Sequence, residues 1–196
     1  MNKSLIRFTL PAILPALALA ACQKAPSTAD AVSSGVVLDN PAAVSSSDSG
    51  SDTAPVTDAK TYLEKAGAGD KFEIDSSRAI LKTTKNAEIE NFAKMMISAH
   101  TESTEKVKKA AMAADIKAPA PVLPPELQQK LDAIKAAKGE DADKLYLEAQ
   151  KEGHQAALAL HKSYGAGGDT PQLKVVADNI VPVVRDHITM LNKMTS

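Results

Sequence analysis

The feature that most constrains the fold is a stripe near the C-terminus. Leu173, Ala177, Ile180, Val184, His187, Leu191 and Met194 recur in steps of 4-3-4-3-4-3. That rhythm keeps seven side chains on one face of a helix of about six turns. A helix with a single apolar face must cover it with neighbours, so the stripe calls for partner helices. Asp169 or Thr170 supplies an N-cap and Pro171 a first helical residue. Pro182 lies inside the segment and is expected to kink or loosen the preceding turn.

Three further segments carry the same rhythm. Over Lys60–Thr83 the stripe is Tyr62, Ala66, Gly69, Glu73, Ser76 and Ile80; Gly67 and Gly69 cost helix propensity and suggest close packing of a neighbour. Over Asn86–Ala114 it is Ile89, Ala93, Met96, His100, Ser103, Val107, Ala110 and Ala114. Over Asp141–Tyr164 it is a broad arc of Tyr146, Leu147, Gln150, Gly153, His154, Ala157, Leu158 and His161, after which Gly165-Ala166-Gly167-Gly168 reads as a loop. Between the second and third segments, Pro119, Pro121, Pro124 and Pro125 precede a short helix with Leu127, Leu131 and Ile134 inward and Gly139 as its stop. Aromatic residues make up only 3% of the chain, which argues against a β-sandwich or barrel. The expectation is an all-α, ferritin-like four-helix bundle over 59–196, built from two antiparallel pairs joined by a Pro-rich crossover that carries a short extra helix. A simple up-down-up-down bundle is the alternative.

The first residues read as an address. Lys3 and Arg7 precede an uncharged apolar run from Phe8 to Ala21, a signal-peptide pattern over 1–21 that is too short to span a bilayer. Leu19-Ala20-Ala21-Cys22 resembles a bacterial lipobox, with Cys22, the sole cysteine, as the lipidated residue. Gln23 after it favours the outer membrane, by resemblance to known sorting behaviour. A lone cysteine also excludes a disulfide framework and any zinc site built on two thiolates. Residues 22–58 are rich in Ser, Ala and Asp without aromatics, and read as a disordered tether between lipid and domain. Removing Lys3 and Arg7 from the formal charge of -1 leaves -3, which gives no footprint for nucleic acid.

All four histidines, His100, His154, His161 and His187, fall on inward faces, and so does Glu73. Ionisable groups are rarely buried without partners. The plainer reading is a polar network in which imidazoles bond to Glu73, Tyr146, Gln150 or water and fix helix register. The sharper one is a site for a single transition-metal ion (Zn, Mn, Fe or Cu) held by Glu73, His100, His154 and His187. His154 and His161 stand two turns apart, about 10.5 Å of rise, too far to share an ion. The Glu-x-x-His pair of di-iron bundles is absent, because Ile97, Lys151, Leu158 and Val184 precede the histidines by three. Met96 and Met190 stand four before His100 and three after His187, which opens a Cu(I) variant. No nucleophile motif, cofactor fingerprint or haem motif is present.

Three segments carry a resemblance to a known family: Glu88-Ile-Glu-Asn-Phe-Ala-Lys-Met-Met-Ile-Ser-Ala-His100, Tyr146-Leu-Glu-Ala-Gln-Lys-Glu-Gly-His154 and Ile180-Val-Pro-Val-Val-Arg-Asp-His187. Over about Lys60 to Met194 the chain resembles the DUF4142 family of bacterial exported domains, grouped with the ferritin-like proteins. The resemblance implies that Glu73, His100, His154 and His187 occupy the family's polar positions, whereas His161 falls where the pattern carries an apolar or aromatic residue. It implies no activity. The expected protein is an outer-membrane-anchored lipoprotein facing the periplasm, touching the membrane through Cys22 and binding no nucleic acid. Its leading function is that of a non-enzymatic binding or envelope-stress protein of unknown ligand. The alternative is a metal-binding or redox protein using the His/Glu cluster.

Overall fold

A computed structural model describes residues 54–195. The lipobox, the signal segment and most of the tether lie outside the described residues. Those described form five α-helices: α1 (Ala59–Ile80), α2 (Ala87–Ala113), α3 (Pro125–Ala136), α4 (Gly139–Gly167) and α5 (Pro171–Met194). None is long and apolar enough to cross a membrane.

Local chemistry sets the helix ends. Asp58 caps α1 by accepting a 2.8 Å hydrogen bond from Thr61 N–H, and Asn86 caps α2 by accepting from Glu88 and Ile89 N–H. Past Ala113 the chain reverses through Asp115 at φ 56°, a left-handed conformation that a short polar side chain tolerates. Ile116 N–H then closes back on the Ala111 carbonyl at 2.9 Å.

The long helices pack α1 on α2, α2 on α5, α5 on α4 and α4 on α1, while α3 lies across α1 and α4. Contacts fix direction. Tyr62 and Ser77 of α1 meet His161 and Tyr146 of α4, so these helices run antiparallel. Asp70 bonds His100 and Thr104 across the α1–α2 pair. The chain therefore runs up, down, down and up, with α2 and α4 on a diagonal. Residues 114–138 carry it from the far end of α2 back to the start of α4, which is why the crossover is long. This is the ferritin-like connectivity expected from the sequence.

The core divides into two apolar halves. Phe72, Ile80, Ile89, Phe92, Met96, Leu131, Ile134, Tyr146 and Leu191 fill one. Tyr62, Leu63, Val107, Tyr164, Leu173, Ile180 and Val184 fill the other, where Tyr62 stacks on Tyr164 with ring centroids 4.0 Å apart. Asp70, Glu73, His100, His154 and His187, all buried, lie between them.

Several local expectations change. The Gly165-Ala166-Gly167 segment is not a loop, for α4 continues to Gly167. A Cβ on Gly165 would run into the Asp178 carboxyl, so the glycine leaves room on α4 for that side chain of α5. Gly139 does not end the short helix, which stops at Ala136; at φ 59° it turns the chain into α4 two residues before the expected start. Pro182 sits exposed on α5, which stays one continuous helix. Gly67 does face a neighbour, Pro121 of the crossover, whereas a Cβ on Gly69 would meet nothing within 4 Å. Asp169 does not cap α5: its carboxyl accepts from Tyr164 O–H, Thr170 O–H and Ala59 N–H, tying the α4–α5 turn to the start of α1. Order on the bundle also begins before residue 59. Val56 O accepts from Ser163 O–H, and Thr57 O accepts from Asp169 N–H at 2.9 Å.

Candidate metal centre

Three of the four histidines converge. His100 from α2, His154 from α4 and His187 from α5 are all buried, and one ligand nitrogen of each lies within 4.8 Å of the others. Ring centroids are 5.2–5.8 Å apart. His187 is thus at the same level along the bundle as the other two.

Each ring is held by its other contacts. His100 Nδ1–H donates to Asp70 Oδ1 at 2.8 Å, and Asp70 Oδ2 accepts from Thr104 O–H at 2.9 Å. Neutral His100 then carries its lone pair on Nε2, which is buried and has no partner. His154 Nδ1–H donates to the Gln150 carbonyl one turn back at 2.8 Å, leaving its Nε2 as an acceptor. His187 Nδ1–H reaches that Nε2 at 3.1 Å.

Glu73 of α1 lies beside this group, its Oε1 3.7 Å from His154 Nδ1, and its Oε2 is buried without a partner. Gly153 makes room for it: a Cβ there would come within 2.4 Å of Glu73 Oε1. Glu73 is not one of the three mutually close ligand groups. His161 is not in the centre at all. Its Nδ1 pairs with Tyr62 O–H at 3.1 Å in the neighbouring apolar half. Tyr146 and Gln150 also differ from their expected roles as imidazole partners. Tyr146 O–H pairs with Ser77 Oγ at 2.9 Å, and Gln150 Nε2–H donates to Ser76 Oγ at 3.1 Å. It is the Gln150 backbone, not its side chain, that orients His154. Met96 is packed inside the apolar half and Met190 against it.

Burial sets the charge states. It holds His154 down to about 3, helped by the nearby charge of His100, and His187 down to about 4. Burial also lowers His161 to about 4. For His100, burial acts the same way, but the hydrogen bond to Asp70 and the charges of Glu73 and Asp70 outweigh it and raise the imidazole. Burial pushes Glu73 up to about 7. At neutral pH the centre thus offers unprotonated imidazoles on His154 and His187.

The donor set fits a transition-metal ion. Three imidazoles suit Zn, Fe or Cu, and three protein ligands leave a position open. Nitrogens around a tetrahedral zinc stand about 3.3 Å apart at bond lengths near 2.0 Å, so the rings would draw in around an ion. The Asp70–His100 and Gln150–His154 bonds are of the kind that orient histidines around a metal ion. Asp70 is the residue that sequence reasoning missed. The signal was present: it stands three residues before Glu73, on the same helical face.

The fold and its buried centre define a class: an all-α four-helix domain with one long crossover and a histidine-rich polar layer between two apolar halves. The chain belongs to the family described as "Domain of unknown function (DUF4142)", which it matches over residues 44–194. That match begins inside the segment read as tether. The bundle is similar to the crystal structure of a DUF305 fragment from Deinococcus radiodurans, with a TM-score of 0.60 and 13% sequence identity over 68% of this chain and 92% of that one. At that identity the likeness is one of fold. No curated protein is significantly similar to the chain.

Proposed function

We propose that this protein is a lipid-anchored, periplasm-facing binding protein whose bundle holds one transition-metal ion on His100, His154 and His187. One observation carries the metal reading: a buried, unpartnered His100 Nε2 whose tautomer Asp70 fixes, within 4.8 Å of ligand nitrogens from two other helices. A satisfied polar network would leave no such atom, because buried polar groups find partners. This favours the metal alternative over a purely structural network. Zn, Fe and Cu suit the three imidazoles, and Mn becomes competent if Glu73 swings in as a carboxylate ligand. The ion would supply a Lewis-acidic or redox centre with an open position.

The test is metal analysis of the untagged chain purified without chelator, followed by thermal unfolding with added Zn²⁺, Mn²⁺, Fe²⁺ or Cu⁺. One equivalent of ion is expected, with a rise in Tm by mass action that disappears in both His100→Ala and His187→Ala. A chain that retains no metal and gains no stability from any of the four ions returns the cluster to a structural role.

The anchor rests on the Leu19-Ala20-Ala21-Cys22 sequence. Several acyl chains on Cys22 exceed what stable anchoring needs. Cys22→Ala should release the protein from the outer-membrane fraction or leave it unprocessed, and unchanged fractionation would remove the anchor from the proposal.

A further inference from the structure

The metal centre borders an open space, with His100 and His187 in its lining. A cavity of about 690 Å³ lies against α1, α2, α4 and α5, within the size range of small-molecule sites. Lys65 on α1, Ala156 and Ala159 on α4 and Val183 on α5 are exposed and line it, as do Ala54, Pro55 and Pro124, so it opens along the seam these elements form. Small residues keep that seam apart from closure by side chains; Gly69 lines it, and a Cβ there would meet nothing within 4 Å. Deeper in, the walls are apolar: Phe72, Ala157, Leu160, Ile180 and Val184.

The inner end is polar, and its unsatisfied capacity is for accepting. Glu73 lines the cavity, is 4% exposed, and has an Oε2 with no partner. Its carboxyl is seated on purpose-made space, since only the missing side chain of Gly153 lets Oε1 fit. The Asp70 carboxyl stands nearby in the same lining, already engaged by His100 and Thr104. An acid head group entering here would meet two carboxyl side chains. A hydrocarbon without a head would leave the Glu73 carboxyl without a donor in a dry site, at the cost of a buried unsatisfied group. A nitrogen donor on an apolar body answers both.

We infer that the cavity binds an apolar amine, with its hydrocarbon or aromatic body against the apolar walls and its N–H head donated to the Glu73 carboxyl. This site goes beyond the metal reading. Its polar anchor is Glu73, which lies outside the group of three mutually close nitrogens.

The experiment is isothermal titration of 1-naphthylmethylamine into the full chain carrying Cys22→Ser, after chelator treatment and with metal content measured on the same sample. 1-Naphthoate, of nearly the same shape and opposite charge, is titrated in parallel. The amine is expected to bind one to one, at least tenfold tighter than the carboxylate. Glu73→Gln should weaken the amine at least tenfold and abolish the preference. Gly69→Trp, whose indole enters open space, should block both ligands while helical signal and Tm hold; Leu160→Trp, at the wall, repeats the block if Gly69→Trp fails to fold. Absence of saturable amine binding, equal binding of naphthoate, or unchanged amine affinity in Glu73→Gln would overturn the inference. Because the titration is run on chelator-treated chain, its outcome decides the amine site alone, and the metal reading stands or falls on the metal analysis of chain purified without chelator.

Discussion

At the scale of single residues, two mid-helix glycines play opposite parts. Gly153 is required, because a methyl group there would meet Glu73 Oε1 at 2.4 Å. Gly153→Ala should displace the carboxyl and destabilise the domain by about 1–3 kcal/mol, the usual cost of forcing atoms into a filled site. Gly69 costs helix propensity with open space before it, so Gly69→Ala should stabilise by about 0.5–1 kcal/mol. Chemical denaturation of the two variants decides, and the same sign for both would mean that the packing around α1 is not as described. Asp70 is the second decisive residue. It holds His100 in the tautomer that presents Nε2, so Asp70→Ala should lower metal affinity by about 10–100-fold while leaving three imidazoles in place. Titration of the metallated protein against a competing chelator measures this, and an unchanged affinity would show that His100 orients itself.

At the scale of elements, the start of α1 is held from three directions. Asp58 caps its first turn, Asp169 reaches Ala59 N–H from the α4–α5 turn, and Thr57 O accepts from Asp169 N–H. The exact place where a soluble domain is cut therefore matters. A chain beginning at Ala59 loses the cap and the Val56 and Thr57 contacts, and should be less stable than one beginning at Ala54 by about 1–3 kcal/mol, a cap alone being worth about 1. Equal thermal midpoints would mean that residues 54–58 add nothing to the bundle. In α5, Pro182 interrupts the helix hydrogen bonding yet the helix runs on, because the Leu173, Ile180, Val184 and Leu191 stripe is buried on both sides of it. Packing of an apolar face outweighs one missing backbone bond.

At the scale of the whole molecule, the buried histidines make stability depend on pH. His154, His161 and His187 are held at about 3, 4 and 4, so the native chain keeps them neutral where the unfolded chain binds protons. Their contribution is present above the ordinary imidazole value near 6.5 and is lost as pH falls toward 4. Glu73 has the opposite sign. With its carboxyl up at about 7, the native state holds a proton that the unfolded chain releases above about 4.5, so its contribution is lost as pH rises through 7. His100, raised, also loses its contribution on the alkaline side. Near pH 5.5, three imidazoles gain a proton on unfolding and one carboxyl loses one. The net uptake is about two protons, or a slope of about 2–3 kcal/mol per pH unit. Urea unfolding of the metal-free chain should show this steep loss between pH 6.5 and 4.5, and Glu73→Gln should steepen it further. A flat profile over that range would mean that the imidazoles titrate as they do in water.

The sequence by itself determined the helices and their inward faces. Apolar spacing at 3.6 residues per turn is a local property, and burial follows it residue by residue in α5 from Leu173 to Leu191. The long proline-rich segment likewise dictated the crossover, because short loops can only join antiparallel neighbours. The inward set of Glu73, His100, His154 and His187 was legible for the same reason. What the sequence could not supply was which inward residues meet, since that depends on the axial offset between helices, fixed only when side chains of different helices interlock. This offset brings His187 level with His100 and His154, sends His161 to Tyr62, and engages His100 with Asp70. It also decides the glycines. Gly165 and Gly153 sit where a facing carboxyl needs the space, Gly69 sits at an opening, and nothing in the chain around each distinguishes them. Helical periodicity is written along one strand of sequence, whereas a site is an intersection of several, and only the packed bundle sets where they cross.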